Sequence, residues 1–392
     1  MSDAGSARRG SEPTSSTHRV TSLELFFDLV FVFAFTQVTA FMALNPNGAG
    51  LVQGLMILAA LWWAWGSYTW LTNAFDADAG WTKLAVFAAM GGMLVASLAV
   101  PYAFTDDALL FGVAYVLVRV LQPITYIVAT RNDPQLRRAI VRLAPGLVGG
   151  GVLVLVAGLV DQPYRTWMWV AALLVDYLGT IVLSGGGQDW RIVPGHFAER
   201  YSLIIIIALG EEIISIGTGL GTQDLGPLQL SSALLAGVLA VCFWWLYFDI
   251  TSRMGEVKLA SLPPVEQALV ARDSYTYLHL PMVAGIVLVA LGVKKTLAHP
   301  DAPLTAVAVV GLIGGAALYL VALNAFRWRN VRSINWPRTY VALGLLAYGA
   351  ASWTLETSGV VDLGVVAGLL TVLAAYETHR AGEFRSTLHR NE

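Results

Sequence analysis

The chain has little charge and almost no cysteine. Charged residues make up 13% of its 392 residues, whereas a soluble domain contains about 25%. Hydrophobic residues make up 56%, which is more apolar surface than a soluble fold of this size can bury. The single cysteine, Cys242, excludes an intrachain disulfide and the usual cysteine-based zinc sites. The composition therefore excludes a disordered chain or an ordinary soluble enzyme and indicates an integral membrane protein.

Long apolar runs fill most of the sequence. A bilayer core about 30 Å thick requires about 20 apolar residues in a helix, and backbone groups in lipid must be paired within the segment. The runs lack the alternation of membrane β-strands. We therefore predict an all-α, polytopic membrane helix bundle of about twelve transmembrane helices, over Leu23–Leu44, Leu51–Leu71, Thr82–Pro101, Ala108–Ala129, Leu136–Val160, Arg165–Ser184, Glu199–Leu220, Leu230–Ile250, Ser274–Leu297, Leu304–Phe326, Arg338–Leu355 and Val360–Thr378.

The basic residues predict the orientation of these spans. If the N-terminus faces the cytoplasm, 20 of the 24 lysines and arginines fall at the inner side, as the positive-inside rule requires. We therefore expect a multi-pass protein of the cell (cytoplasmic) membrane with both termini cytoplasmic. The first apolar run is too long for a cleaved signal peptide. The net charge of −2 gives no indication of nucleic-acid binding.

A weak internal repeat suggests two related halves. Glu24 and Gln37 are 13 residues apart, and Glu199 and Glu212 have the same spacing in the seventh span. Tryptophan pairs follow in the next span of each half, and chance similarity between apolar helices is the alternative explanation. The predicted organisation is two parallel six-helix halves, with a disordered cytoplasmic tail at 1–21, halves at 22–184 and 199–378, a cytoplasmic linker at 185–198 and a cytoplasmic tail at 379–392.

Four ionisable residues are predicted near the bilayer midplane. With a rise of about 1.5 Å per residue, Arg119, Asp176 and Glu211 each lie roughly 17–18 Å from a membrane face. Glu212 follows Glu211, so their side chains point about 100° apart on the helix. We expect these adjacent carboxyl groups not to be ionised together, which suits a proton carrier. The alternatives are a structural ion pair with Arg119 and a lipid-facing catalytic site.

A second polar group is predicted near the inner membrane face. Glu24 and Asp28 are four residues apart and lie on one side of the first helix. With them we predict an inner vestibule that contains Glu199, Arg200, Asp249 and His279. The alternative is a set of interfacial residues that pair locally and reach water. His279 precedes Pro281, and a kink beside an imidazole suits a gate. Since no other histidine lies at depth, we predict no metal site and no cofactor.

Three stretches resemble a known family. They are Leu23–Val32 after Thr21-Ser22, His196–Arg200 followed by Ala208–Glu211, and Tyr277–Met282 with Gly285-Ile286. These motifs resemble the signatures of the bacterial low temperature requirement protein A family. The resemblance implies a polytopic bacterial inner-membrane protein linked by name to growth in the cold, without a defined substrate. The residues that it carries over are Glu24, Asp28, His196, Glu199, Arg200, Glu211 and His279, while Glu212 departs from the pattern.

The sequence favours a secondary transporter or a proton- or ion-coupled carrier with an Arg/Glu/Asp site near the midplane. One alternative is an intramembrane enzyme that acts on a lipid or isoprenoid, and another is a membrane receptor or assembly partner without turnover. The expected partners are the lipid bilayer and a small-molecule, lipid, proton or ion substrate. Neither the substrate nor the oligomeric state follows from the sequence.

Overall fold

The structure is a computed structural model. It describes residues 19–75, 77–78, 80–131, 133–184, 186, 190–222 and 224–389, with side chains up to residue 380. Most of the predicted N-terminal tail (1–18), four residues of the predicted linker (185 and 187–189) and the chain end (390–392) lie outside the described residues.

The described residues form a series of α-helices joined by short connections. These helices are α1 (Ser22–Leu44), α2 (Gly48–Ala74), α3 (Gly80–Ala99), α4 (Ala108–Ala129), α5 (Pro134–Ala157), α6 (Tyr164–Leu183), α7 (Pro194–Leu220), α8 (Pro227–Phe248), α9 (Thr251–Ala260), α10 (Pro264–Val270), α11 (His279–Ala298), α12 (Ala306–Val309), α13 (Gly315–Val331), α14 (Trp336–Leu355) and α15 (Gly359–His389). A 3₁₀ turn (Val100–Tyr102) follows α3, and π-helical segments (Ala271–Tyr277 and Val310–Gly314) precede α11 and α13.

Eleven of the helical runs in the described part of the chain are long and apolar enough to cross a membrane. They coincide with eleven of the twelve predicted spans and confirm the all-α polytopic bundle. The remaining predicted span, Arg338–Leu355, lies in α14, a helix of 20 residues. Arg338, together with tyrosine, tryptophan, serine and threonine, interrupts its apolar residues, so no membrane-length stretch of α14 is as apolar as the other eleven.

Local sequence determines where α1 and α5 begin. In α1, the Glu24 N–H donates to Thr21 Oγ1 (3.2 Å) and the Thr21 N–H donates to Glu24 Oε2 (2.9 Å), which is a reciprocal capping box. In α5, Asp133 Oδ1 accepts the N–H groups of Gln135 and Leu136. Both helices therefore begin at polar side chains that satisfy backbone donors of the first turn.

The ninth predicted span begins irregularly. The π-helical segment Ala271–Tyr277 leads into α11, and Pro281 lies in the first turn of α11. Proline has no N–H, and its ring crowds the carbonyl group four residues earlier, which here belongs to Tyr277. The irregular segment thus ends at Tyr277, directly before the turn that contains Pro281.

The chain divides into two compact units. In the described part, unit 1 contains residues 19–34, 59–200 and 263–269, and unit 2 contains residues 35–58, 201–262 and 270–389. Helices α3–α6 belong to unit 1, whereas α8, α9 and α11–α15 belong to unit 2; α1, α2 and α7 contribute to both. In unit 2, a Cβ atom on Gly285 would lie 2.8 Å from the Gly315 carbonyl oxygen. Glycine therefore allows α11 and α13 to pack closely.

Candidate functional site

Arg119 and Asp176 form a buried ion pair in unit 1. Arg119 Nη2 lies 2.7 Å from Asp176 Oδ1, and the two residues are only 2% and 1% exposed. Arg119 Nε donates to the Leu147 carbonyl oxygen at 2.8 Å, and the Tyr115 hydroxyl approaches Asp176 Oδ2 at 3.4 Å. The pair thus connects α4 to α6, with a backbone contact from α5 between them.

The backbone of α5 leaves room for this pair. A Cβ atom on Gly150 would lie 2.2 Å from Asp176 Oδ1, and one on Gly151 would lie 3.1 Å from Arg119 Cβ. A separation of 2.2 Å is far shorter than any non-bonded contact, so a side chain at Gly150 would displace the Asp176 carboxylate. The lack of side chains at Gly150 and Gly151 therefore leaves the space that the ion pair occupies.

Four residues of the first two motifs, Glu24, Asp28, His196 and Arg200, meet in unit 1, and we call them the signature cluster. Arg200 Nη2 lies 2.7 Å from Asp28 Oδ1, and Arg200 Nη1 lies 3.2 Å from Glu24 Oε1. His196 Nε2 lies 3.1 Å from both oxygens of Glu24. All four side chains are buried. Helices α1 and α7 are therefore joined by a polar network, not by apolar contacts alone.

Two residues of α2, which the sequence did not indicate, complete this network. Trp65 Nε1 donates to Asp28 Oδ1 at 2.9 Å, and Asn73 Nδ2 lies 3.0 Å from His196 Nδ1. Asn73 also bonds both backbone groups of Val193. The signal that could have identified Asn73 is an asparagine at the end of an apolar helix, because buried amides in membrane helices usually bond across helices.

Glu211 and Glu212 lie on α7 within unit 2 and have different surroundings. The Thr36 hydroxyl donates to Glu211 Oε2, and the Ser215 hydroxyl donates to Glu211 Oε1 at 3.0 Å. Lys294 adds an attractive charge. Glu212 is 0% exposed, and neither of its oxygens has a hydrogen-bond partner among the described residues. Both oxygens of Glu211 thus accept hydrogen bonds, whereas the adjacent Glu212 makes none among the described residues.

The other predicted vestibule residues are distributed over both units. Glu199 is exposed and accepts the Val20 N–H at 3.3 Å in unit 1. Asp249 and His279 lie in unit 2, where Asp249 is half-buried after α8. The structure therefore brings Glu24, Asp28 and Arg200 together, whereas their grouping with the other three residues stays a prediction.

His279 is enclosed by aromatic side chains. Its Nε2 lies 2.8 Å from the Tyr247 hydroxyl, and its Nδ1 lies 3.2 Å from the Ser274 carbonyl oxygen. The Tyr275 ring stacks on the imidazole with centroids 5.2 Å apart, and Tyr201 and Phe326 meet it edge to face. Since the carbonyl only accepts, Nδ1 carries a proton, and the Tyr247 hydroxyl pairs with Nε2. Both nitrogens are engaged, and the gating role stays a prediction.

Two further polar clusters of unit 2 were not predicted. Asp362 accepts hydroxyl hydrogen bonds from Tyr348 (2.9 Å), Ser352 (2.9 Å) and Thr357 (2.6 Å). Arg338 and Glu377 form an ion pair with Nη2 and Oε2 2.7 Å apart. Each cluster lies near a helix end and links two helices, so its simplest role is to fix helix positions.

Comparisons with known proteins agree with the motifs. The family model described as "Bacterial low temperature requirement A protein (LtrA)" matches residues 19–375. The chain is 32% identical over 344 residues to the uncharacterized protein RA0937 of Rhizobium meliloti (strain 1021), a match that covers 85% of this chain and 82% of that protein. No solved structure matches the chain. The family match and the membrane-spanning helices together confirm the resemblance: the chain is a multi-pass integral membrane protein and belongs to the bacterial low temperature requirement A family.

Proposed function

We propose that this protein is a secondary transporter coupled to protons, with Glu212 as a proton-binding residue and Glu211 as its ionised neighbour. Glu212 carries the proposal. A carboxylate that is fully buried and makes no hydrogen bond is very costly in an apolar environment, so this carboxyl group holds a proton in the state described here. A group that must be neutral when buried can release its proton only when its surroundings change.

The neighbouring acid supports the same role. Glu211 accepts hydroxyl hydrogen bonds on both oxygens, and these bonds favour an ionised carboxylate. Two adjacent titratable groups that differ in protonation are typical of sites that move protons. Glu212 also lies within electrostatic range of Cys242 and Tyr319, on the α8 and α13 sides of α7.

Arg119 and Asp176 have a supporting role in this proposal. Their ion pair leaves Arg119 Nη1 without a hydrogen bond among the described residues, so one donor is available to a substrate group or to water. We propose a cytoplasmic-membrane location with both termini inside, because the basic residues concentrate on that side.

Matching hydrogen bonds support the proposal of two related halves. The Tyr115 hydroxyl of α4 donates to the Ala60 carbonyl of α2 at 3.0 Å. The Tyr319 hydroxyl of α13 donates to the Phe243 carbonyl of α8 at 2.8 Å. In both halves the fourth span thus bonds the second, close to its tryptophan pair. Parallel repeats of this kind are common in secondary transporters.

Proton movement into proteoliposomes tests the function. The purified protein is reconstituted with a pH-sensitive dye inside the vesicles, and a potassium gradient with valinomycin sets the membrane potential. We expect a potential-driven change of internal pH with the wild-type protein. Glu212→Gln should abolish it, because glutamine keeps the shape of the neutral acid but cannot release a proton.

A matched control is Asp224→Asn, which neutralises an exposed acid in the connection after α7. This variant should retain the wild-type dye response. Wild-type flux in the Glu212→Gln vesicles would contradict the role of Glu212, and wild-type vesicles that match protein-free vesicles would contradict proton transport.

A further inference from the structure

The signature cluster contains buried polar atoms that lack hydrogen bonds. Among the described residues, Glu24 Oε1, Asp28 Oδ2, Arg200 Nε and Arg200 Nη1 make none, although Oε1 and Nη1 face each other at 3.2 Å. Unsatisfied buried polar groups are rare in native proteins and require a physical explanation. The cluster contains both carboxyl oxygens and guanidinium nitrogens without hydrogen bonds. The protonation state, and therefore the net charge, of the whole cluster has to be determined to explain them.

Asn73 determines the charge of His196. The Val193 N–H donates to Asn73 Oδ1 at 3.0 Å, so the amide orientation is fixed. Asn73 Nδ2 then donates to the Val193 carbonyl at 3.1 Å and to His196 Nδ1 at 3.0 Å. His196 Nδ1 must therefore be an acceptor without a proton. His196 is neutral, and its Nε2–H donates to Glu24.

The remaining charges of the cluster do not balance. Arg200 carries one positive charge, and Glu24 and Asp28 would carry two negative charges if both were ionised. Arg200 and His196 are the charged or titratable side chains that act on both carboxyl groups, and Glu24 also acts on Asp28. The exposed Glu199 on α7 is a further acid, and the α2 contacts, Trp65 and Asn73, are neutral. A net buried charge is costly, so the cluster requires one more positive charge.

We infer that the signature cluster binds one proton and that Asp28 Oδ2 holds it. Glu24 Oε2 accepts from the Thr21 N–H (2.9 Å) and His196 Nε2 (3.1 Å), and Arg200 faces Oε1, so donors surround Glu24 and favour its ionised form. Asp28 uses Oδ1 for both Trp65 and Arg200, which leaves Oδ2 without a donor. A metal cation is disfavoured, because Ca²⁺ and Mg²⁺ take about six or more oxygen ligands and N–H donors occupy this cluster.

This site lies in unit 1 and does not depend on the transport role of Glu212. It assigns different tasks to two acids one turn apart: Glu24 is the permanent partner of His196 and Arg200, and Asp28 is the exchangeable proton carrier. Arg200 touches both carboxyl groups. Loss of the proton from Asp28 would give Arg200 two competing carboxylates, so proton binding is coupled to the contact between α1 and α7.

Matched amide substitutions test the assignment. Asp28→Asn reproduces the neutral acid, so the thermal denaturation temperature of the purified protein, followed by tryptophan fluorescence, should stay within about 2 °C of the wild type. Glu24→Gln removes the ionised partner of Arg200 and His196 and should lower it by at least about 5 °C. An equal or larger loss in Asp28→Asn would overturn the assignment.

Infrared spectroscopy gives a second measurement, which detects the proton on the carboxyl group directly. The Glu212→Gln protein, which lacks the carboxyl group of the proposed transport site, should still show the C=O band of an unionised buried carboxylic acid at neutral pH. The band should shift in deuterium oxide and disappear when Asp28→Asn is added. Absence of the band in Glu212→Gln would overturn the proton at Asp28. Loss of flux with retention of this band would separate the two sites.

Discussion

Two buried acids, Asp176 of unit 1 and Glu212 of unit 2, are stabilised in different ways. In unit 1, Asp176 lies against the guanidinium of Arg119, so charge balances charge inside the bundle. In unit 2, Glu212 has no basic partner and no hydrogen bond among the described residues. A charge in an apolar environment is tolerated when it is paired or when it is neutralised by a proton. An ion pair holds the helices that carry it in fixed positions, whereas a protonated acid is able to exchange its proton.

Removal of Arg119, the base that pairs with Asp176, should have the largest effect on stability. Arg119→Met leaves Asp176 buried without its partner, so we expect the free energy of unfolding to fall by about 3–5 kcal/mol. Thermal denaturation in detergent, followed by tryptophan fluorescence, measures this loss. The double variant Arg119→Met/Asp176→Leu removes both charges and should recover most of the stability. A double variant as unstable as the single one would contradict the ion-pair explanation.

A smaller effect is expected from the glycine beside the same pair. Gly150→Ala places a methyl group against Asp176 Oδ1 and should reduce stability by about 1–3 kcal/mol, as overpacking does. Gly179→Ala on α6 is the control, because its Cβ atom would meet only the Gly146 Cα, at 3.7 Å. If both variants denature at the same temperature, the lack of a side chain at Gly150 does not support the ion pair.

The smallest effect on stability is expected in unit 2. Glu212→Gln should change the free energy of unfolding by less than about 1 kcal/mol, because an amide replaces an acid that is already neutral. The same variant should lose proton flux, which separates stability from function at this residue. A loss as large as that of Arg119→Met would show that Glu212 is ionised and paired, and the contrast between Asp176 and Glu212 would disappear.

Much of this architecture was accessible from the sequence because a membrane imposes strong rules. Apolar runs of about 20 residues must be helices. Every predicted span coincides with an observed helical run, although α14 is less apolar than the other eleven. Depth counting also placed Arg119 and Asp176 at one level, where the structure pairs them. Span lengths report depth, but they do not report which face of a helix meets which neighbour.

The contacts of the signature cluster could not be predicted for that reason. Trp65 and Asn73 are separated from their partners by 37 and 123 residues along the chain, and only the packing of three helices brings them together. The difference between Glu211 and Glu212 also depends on the direction in which each side chain points around the axis of α7. Two consecutive glutamates in a sequence do not reveal these directions. The sequence therefore identified these acids as candidates, and the structure distinguishes their surroundings.

The long sequence separation in the signature cluster has a consequence for biosynthesis. Asp28 and Glu24 belong to the first membrane helix, whereas their partners Arg200 and His196 follow 172 residues later. At roughly 5–20 residues per second, about 10–30 s of synthesis separates the acids from these partners. Helix α1 therefore enters the membrane before the basic partner of its two acids has been made. A neutral Asp28 lowers the free-energy cost of burying these acids during that time. Glu24 and Asp28 of α1 therefore acquire these partners only after α2–α6 have been made.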